Sequence, residues 1–134
     1  MTDKKLHLKI TTHEKVVFDS DVDEIYSKGT EGEFGVLPNH IPFMCGLAIG
    51  VTKVVVDGKT LHFTTMGGIF QLQDNEALIL TQASENAEEI DATRAEEARK
   101  RAAERLENAD GQIDVDRAEI ALARALARLK ATGK

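Results

Sequence analysis

The sequence predicts an α+β chain: an antiparallel β module at about residues 1–86, followed by an antiparallel two-helix hairpin at 87–134. Two compositional observations predict it. All six aromatic residues (Phe18, Tyr26, Phe34, Phe43, Phe63 and Phe70), both prolines and eight of the ten glycines lie before residue 71. After Ala87 come twelve of the sixteen alanines, ten of the seventeen Lys/Arg and eleven of the twenty-three Asp/Glu. The third observation is a change of hydrophobic period, from two to about 3.6, at the same place.

The strand patterns come first. Leu6-His7-Leu8-Lys9-Ile10 alternates apolar and polar residues, as a half-buried strand does. Val16-Val17-Phe18 and residues 22–26 follow, separated by short polar turns. Residues 51–56, Asp57-Gly58 and residues 60–64 read as a hairpin, because Asp-Gly supplies the positive φ angles of a tight turn. Residues 69–73, Asp74-Asn75 and residues 77–81 read as a second hairpin. Short strands with frequent turn signals suggest a sandwich or a barrel.

Beyond Glu88, Ala95, Ala98, Ala102, Leu106 and Ala109 form one helical stripe, which Asp110-Gly111 interrupts. In the second helix Val115, Leu122, Leu126 and Leu129 share a face. Asp114 or Asp116 opens that helix and Arg124, Arg128 and Lys130 close it, complementing the helix dipole at both ends. An alanine seam allows close approach but buries little area, at about 25 cal/mol per Å². Such a hairpin is expected to depend on docking, a ligand or a partner.

The net charge of −6 argues against a dedicated nucleic-acid binder. Cys45 is alone, which excludes an intrachain disulfide and fits a reducing compartment. No apolar run approaches the roughly 20 residues that span a bilayer, and the first residues lack a signal-peptide apolar region. The expectation is a soluble protein on the cytoplasmic side of the membrane.

The catalytic inventory is poor. His7, His13, His40 and His62 are scattered without metal-ligand spacing, and His7 and His62 fall inside strand patterns. No serine sits in a Gly-x-Ser-x-Gly turn, and residues 46–53 have the wrong spacing for a phosphate loop. No active site is read, and no cofactor is required.

Three segments stand out. Glu31-Gly32-Glu33-Phe34-Gly35-Val36-Leu37-Pro38-Asn39-His40-Ile41-Pro42 is either a turn-rich loop or a rigid surface loop offering Glu33 and His40 to a partner. Met66-Gly67-Gly68-Ile69-Phe70 reads as a bulge or close backbone approach within a sheet. Ile90-Asp91-Ala92-Thr93-Arg94-Ala95 opens the first helix, with Asp91 as N-cap and Arg94 one turn on. In the second helix Arg117, Arg124 and Arg128 fall within about 40° of one another. They form either a solvated face or a grip on a phosphate-bearing ligand.

Together these residues resemble the epsilon subunit of the bacterial rotary ATP synthase, over essentially the whole chain. The match rests on residues 31–42, on Met66-Gly67-Gly68 and on Ile90-Asp91-x-x-Arg94-Ala95, in order and at family spacing. Phe34, Val36, Asn39 and Ile69-Phe70 depart mildly from the commonest family wording while keeping its character.

The resemblance implies a flattened antiparallel β-sandwich followed by the helical hairpin. It implies a non-catalytic central-stalk subunit, peripheral to the membrane, which couples proton flow to ATP synthesis. Its partners would be the gamma subunit, near His40, and the c-ring, near Glu33. The hairpin would inhibit ATP hydrolysis when extended toward the alpha/beta catalytic head. In some members ATP binds the folded hairpin, and the matching residues here are Glu85, Ile90, Asp91, Arg94, Arg124 and Arg128. On this reading the three arginines would hold phosphates, Asp91 would orient Arg94, and Ile90 and Glu85 would line the base and ribose side. ATP would be a regulatory ligand, with magnesium as its companion left open. The rival readings are a free-standing nucleotide-sensing module and, third, a slow nucleotide hydrolase.

Overall fold

The computed structural model describes residues 5–108 and 111–133, with the side chains of residues 112 and 113 outside that description. Seven strands come first: β1 (Leu6–Thr11), β2 (Val16–Val22), β3 (Glu24–Gly29), β4 (Gly32–Val36), β5 (Phe43–Val56), β6 (Lys59–Gln73) and β7 (Glu76–Leu80). A 3-10 turn (Ala87–Glu89) then leads to α1 (Ala92–Glu107) and α2 (Gln112–Thr132).

The strands form one sheet in the order β2-β1-β7-β6-β5-β3-β4. It folds over so that both ends contribute to one core. Leu6, Leu8 and Ile10 of β1 meet Val22, Ile25, Val36, Leu47, Val54, Phe63, Phe70, Leu72 and Ile79 there. Phe34 on edge strand β4 packs edge-to-face on Phe70 of β6 at 5.0 Å between centroids, across two intervening strands. Complementary aromatic edges and faces add to the burial energy. The predicted α+β class, sandwich then helices, is the one observed. One pairing is parallel, β1 with β7.

Both predicted hairpins are present, and the turn chemistry explains them. Asp57 and Gly58 take φ of 50° and 79°, while Asp74 and Asn75 take 51° and 63°. Two successive positive φ values are what tight two-residue turns demand. Residues 60–64 and 69–73, read as separate strands, belong to one 15-residue strand, β6. The junction is Met66-Gly67-Gly68. A Cβ at Gly68 would lie 1.9 Å from the Leu80 carbonyl oxygen, so the close backbone approach is real. Within residues 31–42, read as either a turn-rich or a rigid loop, residues 32–36 form β4.

The helices bury alanine. Ala95 and Ala102 are the buried residues of α1, and Ala118, Ala125, Ala127 and Ala131 are buried on α2. At 100° per residue, Ala118 and Ala125 share one side of α2, with Ala127 and Ala131 on a different side. This accords with α2 packing on α1 and also on β5 and β6. On the expected Val115/Leu122/Leu126/Leu129 face, Val115, Leu122 and Leu129 are half-buried and Leu126 is 48% exposed, so the fully buried contacts fall to alanines instead. Small side chains occupy both contacts because two surfaces approach one helix closely. Ala109 and Asp110 lie outside the described residues, so the predicted end of the alanine stripe and half of its interruption do too.

Helix ends follow local rules. The Asp91 carboxylate accepts the Thr93 and Arg94 backbone N–H groups at 3.0 and 3.2 Å, the N-cap arrangement expected. Gly133 closes α2 at φ 78°, donating its N–H to the Leu129 and Lys130 carbonyls.

Candidate functional site

The arginines of α2 are placed by its packing. At 100° per residue, Arg124 and Arg128 fall between the helix's two buried alanine sides, in the angle where α1 and the sandwich converge. The chain enters that angle just before α1. Glu85 donates its N–H to the Thr64 hydroxyl at 3.0 Å and accepts the Thr64 N–H at 2.9 Å. Phe63 and Asn86 form an isolated bridge beside it, so Glu85 is tied to β6. The Asn86 side chain then caps the 3-10 turn by accepting the Glu88 N–H.

A cavity of about 310 Å³ forms where these parts meet. Its walls are Glu85, Glu89, Ile90, Asp91, Arg94, Ala95, Ala98, Arg101 and Arg128. That volume lies at the lower end of the range for small-molecule sites, about 300–1,000 Å³. Glu85, Ile90, Asp91 and Arg94, neighbours along the chain, are thus brought to one wall set with the distant Arg128. Arg124 is not among the lining residues. It stands one helical turn before Arg128 on the same side, and its Nε is buried with no hydrogen-bond partner among the described residues. A buried guanidinium N–H left unpaired is costly, and an acceptor reaching it would relieve that cost.

Within the cavity Arg128 donates from Nε to Glu85 Oε1 at 2.7 Å. This ion pair joins the hairpin to the chain segment leaving the sandwich. Asp91 bonds to the backbone N–H of Arg94, so its role as a helix cap is filled. Sequence reasoning missed Arg101, which lines the same wall one α1 heptad beyond Arg94. The signal was available, because residues seven apart share a helix face.

Arg117, read on one face with Arg124 and Arg128, lies elsewhere. It lines a separate cavity of about 520 Å³ with Arg101, Glu104, Arg105, Asn108, Asp114 and Ala118. Glu33 is exposed on β4 and lines a third cavity, of about 400 Å³, with Lys53, His62 and Lys130 of α2. His40 is half-buried, and its Nδ1 lies 2.7 Å from the Ile41 carbonyl oxygen. Its ring meets Phe43 edge-on at 5.9 Å. Asn39, at φ 70°, donates its N–H to the Asn75 side chain at 2.6 Å and thereby pins this loop to the β6–β7 turn.

His7 is held on both sides. Nδ1 lies 2.8 Å from an Asp21 carboxylate oxygen and Nε2 2.5 Å from Asp19. The Asp21 hydrogen bond, then that of Asp19, raises the imidazole pKa above its ordinary 6.5. Burial raises the Cys45 thiol, which opposes a thiolate there. No group of three or more His, Cys, Asp or Glu side chains suited to a metal ion occurs among the described residues. No helix is long and apolar enough to cross a membrane among them.

Two family models divide the chain where its composition changes. The ATP synthase delta/epsilon chain β-sandwich domain matches residues 5–87, and the long α-helix domain of the same chain matches residues 88–133. The ATP synthase epsilon chain of Pelotomaculum thermopropionicum is 49% identical, covering 100% of both chains. That of Nitratidesulfovibrio vulgaris strain DP4 is 45% identical over 98% of each. Among solved structures, a chain of the Euglena gracilis mitochondrial ATP synthase (OSCP/F1/c-ring) superposes with a TM-score of 0.85 at 26% identity. That match covers 97% of this chain and 82% of the other. The chain therefore belongs to the epsilon-chain family of the F-type ATP synthase.

Proposed function

We propose that this chain is a non-catalytic stalk subunit whose C-terminal hairpin senses ATP and, when extended, inhibits ATP hydrolysis. The observation that carries the sensing part is the cavity at the hairpin base, where Arg94 and Arg128 converge from two helices beside Ile90 and Glu85. Planar guanidinium groups suit phosphate oxygens bidentately. In this reading Arg94 and Arg128 bind phosphates, the unpartnered Arg124 Nε turns to the same anion, and Ile90 and Glu85 face base and ribose. ATP requires no covalent step here, and magnesium would arrive, if at all, with the nucleotide.

The switch follows from differential affinity. A ligand that binds only the docked hairpin shifts the equilibrium toward it by its binding free energy, about 2.7 kcal/mol at 100 times its dissociation constant. An alanine seam and one part-exposed ion pair are within reach of that amount. A core of buried Leu, Ile and Phe is not. ATP would therefore hold the hairpin docked, and its loss would release α1 and α2 toward the alpha/beta head. The sandwich would stay on the rotor, with the His40 loop toward gamma and Glu33 toward the c-ring, on the cytoplasmic side of the membrane.

Titration of the full chain with ATP, read by thermal unfolding of the hairpin, tests the sensor. A saturable upward shift is expected, reduced in Arg94→Ala and Arg128→Ala. An unchanged melting curve at millimolar ATP would end this reading. Capture of gamma by the chain tests the stalk placement, and normal proton-coupled synthesis in Glu33→Ala would remove Glu33 from the rotor contact.

A further inference from the structure

The larger cavity on the hairpin lies beyond the proposed nucleotide site, toward the turn between the helices. Three guanidinium groups line it, Arg101 and Arg105 from α1 and Arg117 from α2, against the carboxylates of Glu104 and Asp114. None of the three arginines has an ion pair or side-chain hydrogen bond among the described residues. The contrast with the inner cavity is chemical. There three arginines face three carboxylates, Arg128 is already bonded to Glu85, and Asp91 is engaged as a cap. Among the described residues the outer cavity carries an excess of positive charge, with its guanidinium groups unpaired. Like charges gathered from two helices in one concavity repel until an anion lies across them. At about 520 Å³ the space has room for a tetrahedral oxyanion with its hydration shell.

We propose that this outer cavity binds a free phosphate-class oxyanion, held by Arg105 and Arg117 across the helix pair with Arg101 at its inner edge. Arg101 lines both cavities. An anion in one draws on the guanidinium the other needs, and the two anions repel. Occupancy of either site lowers affinity at the other, reciprocally. The hairpin then reads nucleotide against free phosphate rather than nucleotide alone. The coupling, unlike the phosphate site, rests on the ATP reading given above.

Inorganic phosphate is the probe, titrated into the full chain and followed by phosphorus NMR at fixed ionic strength. Saturable binding at millimolar phosphate is expected. It should weaken about tenfold or more in Arg105→Ala and in Arg117→Ala, the loss of a charged hydrogen-bond donor. Arg128→Ala, at the inner site, should leave it unchanged. Glu104→Gln, which removes a repelling carboxylate while keeping shape, should tighten it several-fold, and helical circular dichroism should match the parent in each variant. Phosphate binding that is non-saturable, or indifferent to both arginines and to Glu104→Gln, overturns the site. ATP titration of Arg105→Ala separates the sources. Unchanged or tighter ATP binding supports a separate phosphate site. Weaker ATP binding, with no binding of free phosphate, makes the cavity an extension of the nucleotide site and ends the proposal. If ATP binds nowhere but phosphate binds as described, the nucleotide reading falls and the phosphate site stands.

Discussion

The sandwich and the hairpin are built from different currencies of burial. In the sandwich Leu6, Leu8, Ile10, Ile25, Phe63, Phe70 and Ile79 are all at most 1% exposed, and they fill one continuous core. Among the described residues of the hairpin the buried side chains are alanines, while Leu126 and Ile120 remain nearly half exposed. Each fully buried Leu, Ile or Phe contributes about 1.5–3 kcal/mol, and an alanine methyl much less. One sequence thus carries a half held by large apolar side chains and a half held by small ones. The lesson is that weak packing can be specific. Alanine permits close approach on two sides of α2, which is what delivers Arg124 and Arg128 to the junction.

The largest expected effect is in the sandwich. Phe70→Ala removes a fully buried ring that packs on Phe34 and Phe43, and should cost about 3–5 kcal/mol. Urea unfolding should show the sandwich transition moved to lower denaturant. A change confined to the helical signal would break the contrast between the halves. The reciprocal change is Ala125→Leu at the 0%-exposed centre of α2, where overpacking should cost about 1–3 kcal/mol. Hydrogen exchange should then rise in α1 and α2 while strands β1, β5 and β6 keep their protection. Equal loss in both halves would show one cooperative unit instead.

Asp91→Ala removes the acceptor of two backbone N–H groups and should destabilise α1 by about 1 kcal/mol. Fraying of the first turn, read by exchange of the Thr93 and Arg94 amides, is the measurement. The smallest effect is a pH dependence on the sandwich side. His7 has a folded pKa raised by Asp21 and Asp19, so its contribution is complete below the unfolded value of 6.5 and is lost as pH rises through the folded one. Denaturation midpoints should therefore fall over that rise in the parent chain, and His7→Gln should flatten that part of the profile. A parallel profile in the variant would assign the pH response to other groups.

Much of this was legible beforehand, for physical reasons that are local. Asp57-Gly58 and Asp74-Asn75 announce their turns because few residues tolerate successive positive φ. Asp91 announces a helix start because its side chain competes for the orphan N–H groups of a first turn. The run of β6 through Met66-Gly67-Gly68 was not legible. The close backbone approach read there is present, in the Leu80 carbonyl that occupies the missing Cβ space at Gly68, but the glycines do not end the strand as a bulge or turn would. Nor was the exposure of Leu126, since periodicity identifies an apolar face but not whether anything covers it. Arg101 was within reach of the helical period, and Glu85–Arg128, 43 residues apart, was not predictable as a contact from spacing.

The sequence by itself determined the α+β order of strands then helices, the two tight turns, the Asp91 cap and the mixed-charge helices, because each depends on neighbours along the chain. Tertiary structure decided that the sheet folds onto itself, that alanine rather than leucine faces the contacts of α2, and that the arginines divide between two cavities. Those outcomes depend on which surfaces meet across long separations. Arg124 and Arg128 reach the inner angle, while Arg117 from the same helix face joins Arg101 and Arg105 nearer the hairpin turn. A helical wheel places all three together. Only the position of α1 and of the segment around Glu85 along α2 separates them.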